Sequence, residues 1–407
     1  MVGNDEYKLG AFGDVAFQVS SDRVLTFDKY KRTTKHNFAE HKVHNRQPVL
    51  ESVGGELEEN PVKIGPIKTD FKEEEIKYPL KLPEEDLEWV LIDTTKEEEL
   101  KKIFDFLINY YYEEDKGFQE QYSVDFLKWQ FTPVKSNEYE NLILSVQKKG
   151  EILGFLSGLP LKLIVYGNEI IAYTLSFFCI KTEYRGKKLA QTMIKEMFRR
   201  TYVYKVFQSI SVSRRLIPRP FAECRYYYSD LKEAIKKIEK PKSFEQLRLM
   251  EKKDVKSICK LISENQKQFK IYRIFSEEEI EYWFMPRKDI IYSFVKEDKD
   301  GNITDFTSFY VVDVTNKEVR KRWCYIYFNI ATSILCEELF ENSLLLANQN
   351  GIDIYVCNSI NNYESLCQKY QFSLNLDGND SYGTVKYYFN NFICPETDTK
   401  DLSIILI

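Results

Sequence analysis

Residues 170–200 constrain this chain more than any other stretch. From Ile170 to Ile180 an apolar run of β-branched and aromatic residues (Ile170, Ile171, Tyr173, Leu175, Phe177, Phe178, Ile180) reads as a buried strand. A charged turn, Lys181 to Gly186, follows. Leu189, Met193, Ile194, Met197 and Phe198 then recur at the spacing of one helix face. The junction Arg185-Gly186-Lys187-Lys188-Leu189-Ala190 carries chemistry as well as shape. A glycine has no Cβ, so backbone amides there can approach a ligand closely. The helix start adds partial positive charge, and three solvent-facing cations stand beside it, a cradle suited to a pyrophosphate. An ordinary solvated loop is the other reading of the same residues.

With 407 residues the chain can bury a sizeable core, and two domains are the natural expectation. Apolar residues make up 43% and charged residues 30%, which places the chain among globular proteins rather than disordered ones. The net charge of −5 and the lack of a long basic stripe argue against a nucleic-acid partner. No run approaches the roughly 18 apolar residues of a membrane span. The start MVGNDEYKLG lacks a signal-peptide core, so a cytoplasmic protein is expected. The eight cysteines are scattered without a CxxC pair, as reduced, buried thiols are, and no metal site is expected. The only histidines are His36, His41 and His44. A catalytic body that begins after residue 60 therefore holds no histidine base and no Ser–His or Cys–His pair. Its base is a carboxylate, a lysine, a tyrosine or a chain terminus.

Along the chain, residues 1–59 form an atypical extension, polar and turn-rich after two short strand candidates. Residues 60–240 and 241–407 read as two α/β halves, with Pro241-Lys242-Ser243 as the boundary. The first half has a helix over Glu97–Tyr112, a second around Phe126–Phe131, a meander from Asn141 to Leu159 and a separate strand over Leu161–Tyr166. After the cradle come a strand over Val206–Ser213 and, beyond Tyr228, a charged helix to Lys240. The second half repeats the order with helices over Asp254–Gln268, Ser276–Phe284 and Ser333–Gln349 between strands. Two similar halves are more economical than one very large sheet. The chain closes on Leu402-Ser403-Ile404-Ile405-Leu406-Ile407, an apolar run suited to burial.

The strand, the Tyr184-Arg185-Gly186-Lys187-Lys188-Leu189-Ala190 turn and the helix resemble the acyl-CoA-binding turn of the GNAT acyltransferase superfamily. Over five-sixths of the chain, from Gly65 to Ile407, the sequence is similar to the glycylpeptide N-tetradecanoyltransferase (N-myristoyltransferase) family. Matching landmarks stand in order: Tyr110 through Tyr122-Ser123-Val124-Asp125, Phe177-Phe178-Cys179, Arg185 to Ala190, Pro218-Arg219-Pro220, Thr304-Asp305-Phe306 and Tyr387-Tyr388-Phe389. The resemblance implies a mixed-sheet fold of two pseudo-symmetric GNAT-like halves. It implies a monomeric enzyme that moves a myristoyl group from myristoyl-CoA, a co-substrate, to the N-terminal glycine amine of client proteins, without a prosthetic group. The implied oxyanion donors are the backbone N–H groups of Phe177 and Phe178, and the implied base is the C-terminal carboxylate on Ile407. Cys179, Ile180 and Arg185 to Ala190 would hold the acyl-CoA, and Tyr110, Phe118 and Tyr122 the peptide. Residues 8–51 separately resemble the start of the phage tail protein U family.

The sequence departs from the N-myristoyltransferase pattern mainly on the peptide side. Ser176 and Lys181 replace an expected asparagine and histidine, Glu120 replaces an aromatic, and Arg214 ends a segment that usually reads Tyr-Thr-Ala-Gly. Three readings follow: an active protein N-acyltransferase, a degenerate acyl-CoA-binding relative, and a tail-assembly or scaffold protein.

Overall fold

The structure, a computed structural model, describes residues 64–69, 72, 76–111, 119–134, 138–214, 220–238, 247–315, 319–374 and 383–406. The extension 1–59, the boundary at 240–241, Phe118, Pro218-Arg219 and Ile407 lie outside the described residues. The first half contains β1 (Gly65–Pro66), β2 (Glu88–Leu91), α1 (Glu97–Tyr110), β3 (Gln119–Gln121), α2 (Val124–Phe131), β4 (Leu142–Lys148), β5 (Glu151–Val165), β6 (Asn168–Ile180), α3 (Leu189–Val203), β7 (Ser209–Ser213), β8 (Ala222–Asp230) and α4 (Leu231–Ile235). The second contains β9 (Leu247–Leu249), α5 (Val255–Gln266), β10 (Ile271–Ile274), α6 (Glu277–Phe284), β11 (Ile291–Glu297), β12 (Ile303–Thr315) and β13 (Arg320–Ile330). It continues through α7 (Cys336–Gln349), β14 (Ile354–Asn358), α8 (Glu364–Lys369), β15 (Thr384–Asn390), β16 (Phe392–Ile393) and β17 (Leu402–Ser403).

Local chemistry explains many of these bounds. Ser123 caps α2 by accepting from the Phe126 amide at 3.1 Å. Ser276 and Glu279 form a reciprocal capping box at the start of α6. The separate strand expected at Leu161–Tyr166 is instead the far end of the 15-residue β5. Proline is tolerated inside it because β4 pairs β5 only as far as Gly158 and β10 begins at Lys162. The missing N–H of Pro160 lies at the gap between those two neighbours. The expected charged helix to Lys240 is also shorter. β8 runs on to Asp230, paired with Ile354, and the Asp230 carboxylate then caps the five-residue α4 by accepting from the Lys232 amide at 3.0 Å.

The two halves repeat, strand for strand. In each, a three-stranded antiparallel meander (β4-β5-β6, β11-β12-β13) leads into a helix (α3, α7) and a strand parallel to the meander's last member (β7, β14). The irregularities coincide as well. Gly154 pairs with Ile180 and Ser157 with Ser176, so the bulge falls at Phe177 and Phe178. Phe306 pairs with Ile330 and Phe309 with Ile326, so the second bulge falls at Tyr327. The halves do not keep separate sheets, contrary to the expectation. β8 leaves the first half to pair with β14, β15 leaves the second to pair with β7, and β8 and β15 pair with each other. This exchange fuses both halves into one 15-stranded mixed sheet. Helices α1, α2, α5 and α6 pack on a shared core that reaches across both halves. On the other face α3 covers one end, and α4, α7 and α8 cover the other.

Helix α3 sits close to the sheet because β5 presents glycines beneath it. A Cβ on Gly154 would lie 2.5 Å from Met193 Sδ, and one on Gly158 would lie 2.9 Å from Met197 Sδ. Gly154→Ala is expected to cost about 1–3 kcal/mol by overpacking. Thermal melts check this, and the cost should shrink in a Met193→Ala background, because removing the sulfur removes the clash.

Candidate active site

The site forms where the sheet opens. β7 pairs with β6 only at Tyr173 and Thr174, and then diverges to follow β15. Beyond that point β6 runs on to Ile180 with β5 as its one strand partner among the described residues. The bulge lies in this stretch. Phe177 takes a left-handed backbone (φ +54°), a conformation that costs a non-glycine residue about 1–3 kcal/mol. Packing holds it there: its ring lies 5.0 Å from Phe131, 5.1 Å from Tyr122 and 5.7 Å from Tyr111. Phe178 packs into the core on the opposite face, under α3.

The turn after β6 refines the expected cradle. Gly186 has φ +78° and Lys188, the N-cap of α3, has φ +66°. No side chain caps α3. Gly186, Lys187 and Lys188 are exposed, and Lys187 Nζ lies 4.9 Å above the Tyr184 ring. Arg185 does not face solvent as expected. It is half-buried, donating from Nε to the Ile180 carbonyl at 2.9 Å and from a terminal nitrogen to the Tyr110 carbonyl at 2.8 Å. Arg185 therefore ties α1 to the turn. Cys179, Ile180, Leu189 and Ala190 are buried. Burial pushes the Cys179 thiol up to about 12, which removes it as a nucleophile near neutral pH.

Two separable effects are expected here. Arg185→Ala should lower stability by about 1.5–3 kcal/mol, the worth of charged hydrogen bonds. Lys187→Glu with Lys188→Glu should leave the melting temperature nearly unchanged and weaken acyl-CoA binding by at least about tenfold. Melts and titration calorimetry on the same preparations separate the two.

On the other side of Phe177 lies a cluster that composition alone did not reveal. Tyr122 stacks on Phe126 at 5.0 Å and donates its hydroxyl to Glu120, whose second carboxylate oxygen accepts from Tyr325. The Tyr325 ring stacks on Tyr310 at 5.0 Å and 6°. Burial pushes the hydroxyls of Tyr226, Tyr310, Tyr325 and Tyr387 well above their ordinary value, so all four stay neutral donors. Tyr387 donates to the Ile404 carbonyl at 3.4 Å. The C-terminal run arrives here: β17 pairs with β10, Ile404 and Ile405 are buried, and Leu406 packs half-buried against the shared core. Of the peptide-side residues expected from sequence, Tyr122 touches the bulge, while Tyr110 reaches the turn through its carbonyl. The sequence signals available for the cluster were the Tyr226-Tyr227-Tyr228 triplet and the alternation of Tyr325 with Tyr327.

An opened strand that runs into a lysine-flanked helix start suits a phosphate-bearing donor, and the matches that follow place the chain among the acyltransferases. Residues 66–224 match the family model described as "Myristoyl-CoA:protein N-myristoyltransferase, N-terminal domain", and residues 227–403 match the corresponding C-terminal domain. A glycylpeptide N-tetradecanoyltransferase of Plasmodium falciparum is 28% identical over 388 residues, covering 89% of this chain and 92% of the relative. One from Drosophila melanogaster is 29% identical over 346 residues, covering 78% and 72%. The crystal structure of Saccharomyces cerevisiae N-myristoyltransferase with bound myristoyl-CoA has the same fold, with a TM-score of 0.77 at 22% identity over 90% of this chain and 99% of that one. The chain belongs to the N-myristoyltransferase family. Among the described residues no helix is long and apolar enough to cross a membrane, and no cluster of His, Cys, Asp or Glu is suited to a metal ion.

Proposed function

We propose that the reaction of this family, transfer of a myristoyl group from myristoyl-CoA to the N-terminal glycine amine of a protein, runs at the β6 bulge. The observation that carries the placement is the opened edge of β6 leading into the uncapped start of α3. The pyrophosphate of the donor sits on the amides from Gly186 onward, with Lys187 and Lys188 beside it. The acyl carbonyl then lies along the opened strand, and the N–H groups of Phe177 and Phe178 receive its oxygen as negative charge develops.

The acceptor enters from the tyrosine side. Glu120 puts a negative charge beside Tyr122 and hence beside the bulge, which suits an amine that arrives as an ammonium ion. The amine must lose a proton to attack. With no histidine after His44, the carboxylate of Ile407 takes it, carried in by the buried run Ile404-Ile405. The amine nitrogen bonds to the carbonyl carbon, the carbon–sulfur bond breaks, and CoA leaves as its thiolate. We read the protein as a cytoplasmic monomer, and its net charge of −5 favours the absence of a nucleic-acid partner. The tail-assembly or scaffold reading rests on residues 1–59 alone, which lie outside the described residues.

Amide hydrogen exchange tests the placement. A non-hydrolysable myristoyl-CoA analogue should slow exchange at residues 175–191. Protection confined to other segments would contradict it.

A further inference from the structure

At the entry to the β6 bulge one buried side chain takes hold of the main chain. Ser157 on β5 pairs with Ser176 on β6, and the register breaks immediately beyond that pair. The Ser157 hydroxyl donates to the Ser176 carbonyl at 2.8 Å. The two hydroxyls also lie 2.9 Å apart. A carbonyl only accepts, so the Ser157 proton goes to it and the Ser176 hydroxyl donates to Ser157 Oγ. The two bonds run in series and polarise one another. Ser157 is fully buried and Ser176 half-buried, so the inner bond is shielded from water.

The Ser176 carbonyl belongs to the same peptide plane as the Phe177 N–H. No peptide bond among the described residues is cis, so within this plane the N–H points opposite to the carbonyl. With the carbonyl held toward β5, the Phe177 N–H is aimed away from β5, to the side that β7 leaves after Thr174. A bulge disrupts the ladder locally, so strand pairing fixes this plane less firmly than in a regular strand. Phe177 adds to the demand, because its φ of +54° runs against the preference of a non-glycine residue. The second half lacks the device. The pair at the edge of its bulge is Phe309 with Ile326, neither of which carries a hydroxyl, and Tyr327 keeps a negative φ.

We propose that Ser157 is a positioning residue for the transfer: its hydroxyl, backed by that of Ser176, locks the Ser176–Phe177 peptide plane so that the Phe177 N–H faces the acyl oxygen. This rests on the oxyanion role proposed above for Phe177. The same bond draws electron density toward the carbonyl, which makes the N–H a stronger donor. Ser157 acts only through the β6 main chain, so its loss weakens the chemical step and spares acyl-CoA binding at the Gly186 turn.

Single-turnover rates with bound myristoyl-CoA and a glycine-start peptide test this, alongside myristoyl-CoA affinity from titration calorimetry. Ser157→Ala should lower the rate about tenfold, part of the roughly hundred- to thousand-fold that a whole donor is worth, and leave the affinity unchanged. A cycle with backbone esters separates positioning from packing. With the Phe178 N–H replaced by an ester oxygen, Ser157→Ala should cost its full factor again. With the Phe177 N–H replaced, the aimed donor is already gone, and Ser157→Ala should cost almost nothing further. The same factor in all three backgrounds, a wild-type rate for a folded Ser157→Ala chain, or a rate loss matched by lost affinity overturns the proposal. An ester at Phe177 that leaves the rate unchanged is a different failure: it removes the oxyanion reading itself, and the proposal with it. Should Ser157→Ala not fold, Ser157→Cys keeps a similar size with a weaker donor, and the same comparisons decide.

Discussion

Adding one glycine after Ile407, or deleting Ile407, is expected to lower turnover by about a hundred- to ten-thousand-fold while myristoyl-CoA binding persists. That range is the worth of general-base assistance. The change moves the carboxylate by a residue's length, about 3.3 Å in extended chain, which exceeds the tolerance of a proton transfer. Ile407→Leu, by contrast, keeps the carboxylate in place and should cost less than about 1.5 kcal/mol as a volume-conserving swap. The apolar run before it is already fixed by the pairing of Leu402 with Ile271 and by the burial of Ile404 and Ile405. A chain with an added glycine that turns over at the native rate would move the base to another group. Glu120, held beside the bulge by Tyr122 and Tyr325, is the carboxylate to test next.

Replacing the backbone N–H of Phe177 or Phe178 by an ester oxygen is expected to lower kcat by about a hundred- to a thousand-fold for each donor lost. The side chain is retained, so the ring contacts of Phe177 with Phe131, Tyr122 and Tyr111 stay in place. Single-turnover kinetics with bound myristoyl-CoA read the effect directly. A loss confined to acyl-CoA affinity would show that the bulge binds the donor without stabilising the transition state.

The strand, turn and helix of residues 168–203 were legible in the sequence because apolar period and charge switch together there. The two-half order was legible for the same reason. The strand exchange was not. β8 and β15 pair with each other across some 160 residues of sequence (Thr384 with Arg225), and no local pattern encodes a partner that remote. β5 read as two strands because a proline interrupts it, and only its neighbours show that Pro160 falls where no amide is required. Arg185 read as a ligand-binding cation because basic residues in a turn usually face water. Its acceptors are the main-chain carbonyls of Ile180 and Tyr110, which carry no sequence signature.

The most direct measurement is the transfer itself. The full chain is incubated with myristoyl-CoA and a panel of peptides that begin with glycine, and the products are read by mass spectrometry with fragmentation. The expected result is a myristoyl amide on the glycine nitrogen, formed in step with free CoA, and no transfer to the same peptides when the amine is acetylated. Tight binding of myristoyl-CoA with no acylated product across the panel would contradict the account and leave the chain as an acyl-CoA-binding relative without turnover.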